Sequence, residues 1–274
     1  MSRPGERLRR AELSSPLPQR ADTVGELAVR LEEGTMEISA LGQSSSDRYP
    51  KVAGPIHTIL VLAALGGVAF AHKISAGHSS VGAQPNRVRS YLLILLIEWL
   101  LFALVMAGVW RNPASVLIVL GDHWHSVRQV LRDIGIAFAF WIVAAALLWL
   151  FGWLLRIHET GAAVAAMLPH GGVELACWIA VSVTAGICEE TIFRGYLQPQ
   201  FMALTKSAPA GILLSAVIFG AAHAYQGFRM TILIGLYGVM FGILAHWRGS
   251  VRPGMIAHAW QDSLNGILAA VMRH

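Results

Sequence analysis

From residue 52 onward the chain is a succession of apolar runs, each near the length of a membrane crossing and nearly free of charge. Only 21 of its 37 Asp, Glu, Lys and Arg residues fall in these last 223 positions. The other 16, eight basic and eight acidic, crowd residues 1–51. Charged residues are 14% of the whole, against about 25% in an ordinary soluble chain. So few charges cannot cover a water-exposed surface of that length. The runs span roughly residues 52–71, 90–110, 134–155, 173–188, 210–224, 230–247 and 253–271. About 20 residues of helix cross the ~30 Å hydrocarbon layer, and only a helix or a closed barrel satisfies its own backbone there. No strand alternation is present. The expectation is an all-α, polytopic transmembrane bundle of about seven to eight membrane segments, occupying residues 52–274.

Residues 1–51 read as a polar, disordered tail, with a short helix near 23–33 and a linker at 42–46. No apolar core stands within the first 30 residues, so no cleavable signal is visible, and Met36 is an alternative start. The net charge of +5 comes from cations flanking the apolar runs rather than from a basic face with interleaved aromatics. That excludes a nucleic-acid partner and leaves the lipid bilayer. With seven crossings, nine basic residues lie on the tail's side of the membrane and six opposite, which favours a cytoplasmic N-terminus. Trp110, Trp153, Trp247 and Tyr91 sit near segment ends, where aromatic anchors belong. The run at 113–120 is too short to cross and belongs at the interface. Cys177 and Cys188, three helical turns apart, cannot bridge and read as small buried residues. His123 and His125 read as interfacial loop residues.

Ionisable groups inside apolar helices are costly and point to function. Three clusters occur. In the first, Glu189 and Glu190 precede Arg194 on a helix expected to run to about Leu197, where Pro199 breaks it. Adjacent side chains diverge by about 100°, so Glu190, four residues before Arg194, forms the ion pair and Glu189 is left free. In the second, His223 follows Phe219 by one turn, among small residues that allow close helix approach. In the third, His258 and Asp262 share one face at i, i+4 spacing.

The ordered trio Glu189-Glu190…Arg194, Phe219…His223 and His258…Asp262 resembles the CAAX protease and bacteriocin-processing family of intramembrane proteases, over about residues 173–271. The resemblance implies a helical bundle with a cavity open toward the cytosol, in which Glu189 and His223 activate water against a peptide carbonyl. His258 and residue 262 would stabilise the oxyanion. Catalytic candidates are therefore Glu189, Glu190, Arg194, His223, His258 and Asp262. The substrate expected is a membrane-associated protein or peptide, and no cofactor is expected. Asp262 stands where the prenyl protease branch usually has Asn, and an ionised carboxylate cannot donate. That departure keeps a zinc alternative open, with Glu189, His223, His258 and Asp262 as ligands. Against zinc, His158-Glu159 is not followed by a histidine at 162. Two non-proteolytic readings also stand: a proton-coupled transporter using Glu98, and a bacteriocin-immunity membrane protein. The family's bacterial members make a bacterial cell membrane the expected location. A helix ruler puts His223 about 20 Å deep and His258 about 8 Å, at ~1.5 Å per residue, so one shared site requires tilt, a kink or staggered helix starts.

Overall fold

The computed structural model describes residues 49–77, 86–157 and 162–272. The tail, its linker and short helix, and His158-Glu159 lie outside these residues. Among the described residues every regular element is helical, and the chain runs α1 (Pro55–Gly77), α2 (Arg87–Val109), α3 (Pro113–Leu120), α4 (Val127–Leu154) and α5 (Ala162–Met167). A long rod follows, made of α6 (Gly172–Glu189), a π segment (Glu190–Leu197) and α7 (Gln198–Thr205). Last come α8 (Ala208–Ala222), α9 (Phe228–Arg248) and α10 (Arg252–Val271). Asn86, Asn112, Ser126 and Ser207 cap α2, α3, α4 and α8, each side-chain oxygen accepting a backbone N–H of the first turn.

Five stretches are long and apolar enough to cross a membrane: α1, α2, α4, the 34-residue rod Gly172–Thr205, and α9. The other two apolar runs fold as α8, only 15 residues long, and α10, where His258, Gln261, Asp262 and Asn265 interrupt the apolar character. Pro113–Leu120 is a short helix packed on the π segment. Trp110, Trp153 and Trp247 are exposed, as anchors should be, but Tyr91 is not one. It is wholly buried, and its hydroxyl donates to the Met167 carbonyl, tying α2 to the chain end of α5.

The rod corrects the expected break at Pro199. The helix passes through the proline because Glu190–Leu197 is wound as a π-helix, with the Gln198 N–H donating five residues back to Phe193. The wider turn moves the hydrogen-bond register just where proline lacks a donor. Ser215 of α8 donates to the same Phe193 carbonyl at 2.7 Å. Every residue of the π segment is buried.

Most of the rod's packing is with α10, α2 and α8, while α9 lies along α8. The main core joins Val61 and Leu65 of α1, Val105 and Val109 of α2, and Val119 of α3 to Ile192, Phe193, Tyr196 and Leu197 of the rod. A polar seam crosses it. His57 bonds the Tyr196 hydroxyl at 2.6 Å, and Gln200 donates to Thr58 at 2.6 Å and to the Ala53 carbonyl at 2.9 Å. Such bonds fix helix partners in lipid, where apolar contact alone does not distinguish a helix from a lipid tail.

Candidate active site

The rod and α10 carry the first and third motifs, and two glycines let them touch. A Cβ on Gly186 would stand 2.7 Å from the Met255 carbonyl oxygen, and one on Gly254 would stand 3.0 Å from Glu190 Oε2. Trp178 of the rod donates to the Asp262 carbonyl at 2.7 Å, and Trp141 of α4 donates to the Gln261 side chain. The face of α10 that bears His258 is thus held from two sides.

Glu190 and Arg194 form the expected ion pair at 3.1 Å, with both side chains closed to solvent. The guanidinium lies 4.2 Å from the Phe219 ring centre and 5.1 Å from that of Phe241, and donates to the Gly238 carbonyl at 3.2 Å. The aromatic of the second motif therefore covers the cation of the first, a cation–π contact in dry surroundings. Its ring also stands 4.9 Å from His223 and 6.4 Å from His258. Phe219 thus contacts the rings of both histidines, which helix counting sets at different depths.

Glu190 meets His258 as well as Arg194, a contact across helices that its spacing in the sequence does not show. Its Oε1 lies 3.1 Å from His258 Nδ1, while His258 Nε2 faces Asp262 Oδ2 at 3.5 Å and Glu189 Oε2 at 3.9 Å. Three carboxyls from two helices surround one imidazole, and both ring nitrogens face oxygens. His223 caps the end of α8, its Nδ1 donating to the Phe219 carbonyl at 2.9 Å. In the neutral ring that leaves Nε2 with a lone pair.

Glu189, His223, His258 and Asp262 all line one cavity of about 640 Å³, whose walls are mostly apolar side chains. Glu190 and Arg194 lie behind its wall rather than in its lining. Several lining residues were not legible as site residues: His72 of α1, Tyr225 and Gln226 beyond His223, and Tyr237 of α9. His72 and Tyr237 come from separate helices, and Tyr225 and Gln226 from the short turn after His223, so no shared spacing marks the set. Glu98, read only as a step in a transport path, also lines the cavity. Among the described residues, no three His, Cys, Asp or Glu side chains are arranged to hold a metal ion. Both cysteines are free, Cys188 buried and Cys177 partly so.

A helical integral membrane protein with carboxyls and histidines gathered at a largely apolar cavity is the class defined by this fold and geometry. The rod through α10 is similar to a known protease family: residues 172–264 match the family model of type II CAAX prenyl endopeptidase Rce1-like proteins. The match covers all three motifs. No curated protein and no solved structure matches the chain.

Proposed function

We propose that this chain is an intramembrane endopeptidase of the CAAX-protease type, which hydrolyses a peptide bond of a membrane-associated substrate with a water activated by Glu189. The observation that carries this reading is the His258 ring, approached by Glu190, Glu189 and Asp262 at the edge of the cavity that also holds His223.

Glu189 Oε2 is shielded from solvent and makes no hydrogen bond among the described residues. A carboxylate so placed keeps its lone pairs for a water, the requirement for a general base. His223, fixed through Nδ1, offers Nε2 to the same water or to the leaving amine. On attack the carbonyl oxygen gains charge, and His258 Nε2 is the donor nearest to that position. Glu190 holds His258 through Nδ1, and Asp262 holds it through Nε2 until substrate enters. Asp262 thereby acts as an orienting carboxylate rather than as an oxyanion donor. This role gives an aspartate at 262 a purpose that asparagine in the prenyl protease branch need not share. Every step uses side chains of this chain and one water, and none is routed through a metal.

The test is hydrolysis of a fluorogenic peptide panel, lipidated and unlipidated, by the purified chain in vesicles. Glu189→Gln is expected to lower kcat at least about 100-fold without altering the helical content. Wild-type protein that cleaves none of the panel, or a Glu189→Gln form that cleaves normally, overturns the reading.

A further inference from the structure

The cavity holds a carboxyl from outside the matched segment. Glu98 stands at the middle of α2, a helix that precedes residues 172–264 and otherwise turns leucines such as Leu93, Leu96 and Leu100 outward. Its side chain lines the cavity wall beside Glu189 and His258. The Glu98 and Glu189 carboxyls are direct neighbours. The Oε2 atoms of both are closed to solvent and make no hydrogen bond among the described residues. Two ionised carboxylates at contact between largely apolar walls repel strongly. The contact becomes attractive only when a proton lies between them, because an ionised carboxylate only accepts.

Two neighbouring cationic groups are already engaged. Arg194 is committed to Glu190 and the Gly238 carbonyl, and His258 is held between Glu190 and Asp262. Tyr237 of α9 and Tyr225 and His223 after α8 also line the space, with His72 of α1 beside Tyr225. Among the described residues none of these bonds the Oε2 atom of Glu98.

We propose that Glu98 is a positioning residue for the peptidase reaction, its carboxyl donating a hydrogen bond to Glu189 and fixing the direction in which Glu189 meets the attacking water. The inference rests on the peptidase reading of the cavity. It extends the working site beyond the family-matched segment to α2, and it gives a role to the one glutamate of that helix.

Two variants and one spectrum test it. Glu98→Gln keeps a donor that does not titrate, whereas Glu98→Ala removes the donor. Glu98→Ala should lower kcat about 10- to 100-fold with KM within about twofold, as a misdirected base does. Glu98→Gln should restore most of kcat and hold activity to higher pH than wild type, since its donor is not lost as pH rises. Infrared spectra in ester-free detergent supply a readout independent of turnover. At neutral pH wild type should show a buried protonated-carboxyl band that Glu98→Gln lacks and Glu190→Gln retains. A Glu98→Ala form with unchanged kcat and pH profile, a Glu98→Gln form as impaired as Glu98→Ala, or a band unchanged in Glu98→Gln overturns the proposal. If Glu189→Gln is inactive while Glu98→Ala is normal, only the Glu98 inference fails. If Glu189→Gln cleaves normally, the peptidase reading itself fails, and the infrared band alone decides the Glu98–Glu189 contact.

Discussion

The helices before residue 157 and those after residue 172 solve the same solvent problem in opposite ways. α2 and α4 have mean hydropathies of 2.6 and 2.5, yet only 11% of their apolar stretch is buried. The rod has a mean hydropathy of 1.4 and α9 of 1.8, with 28% buried in each. In water the most apolar segments would be innermost. Among these four stretches the order inverts, because lipid accepts leucine as readily as a protein core does, whereas polar groups must find partners inside. Burial in this molecule follows polarity, small residues and hydrogen bonds, and the chemistry collects where burial is highest. α2 belongs to both groups: leucines such as Leu96 face outward, while Val105 and Val109 pack on the rod and Glu98 lines the cavity.

The contrast can be broken most severely at the ion pair. Arg194→Ala leaves Glu190 as a buried charge without its cation and should cost about 3–5 kcal/mol, enough to deplete folded protein. Thermal unfolding in detergent reads that loss. Glu190→Gln releases both Arg194 and His258 Nδ1, so it should lose stability and turnover together. A Glu190→Gln enzyme with normal kcat would return Glu190 to a purely structural role.

A smaller break acts on the crossing of the rod with α10. Gly186→Ala puts a methyl against the Met255 backbone oxygen, which cannot move as a flexible side chain can. About 1–3 kcal/mol of stability should be lost, and kcat should fall with it because motif one separates from motif three. Unchanged activity would mean that the two helices need not touch so closely.

Asp262→Asn sharpens the comparison instead. If Asp262 orients His258, the amide oxygen still accepts from Nε2, so activity should fall by less than about tenfold, within the range of one positioning hydrogen bond. A chelator should leave both forms unchanged. Activity that is chelator-sensitive, and lost in Asp262→Asn until zinc is added, would replace the water-only mechanism with a metal one. At the small end, Leu96→Ala on the exposed side of α2 should change stability and kcat by no more than about 0.5 kcal/mol equivalent. A large effect there would mean that this face packs against another protein rather than lipid.

The apolar runs and their near absence of charge already determine helices in a membrane, because no other backbone arrangement suits such a composition. The i, i+4 rule likewise determines the Glu190–Arg194 and His258–Asp262 pairs, since both depend only on local winding. The π segment is different. It carries the rod past Pro199, with Ser215 of α8 bonding the Phe193 carbonyl, a partner 22 residues away. Tyr91 has the position of an interfacial anchor in sequence, yet packing hides it completely. Glu190 reaches His258 across 68 residues, and Glu98 and His72 join the cavity from helices with no marked polar face. In water, amphipathic periodicity would have shown which side of each helix turns inward. In lipid an almost uniformly apolar helix carries no such mark, so its facing was decided only when the helices packed.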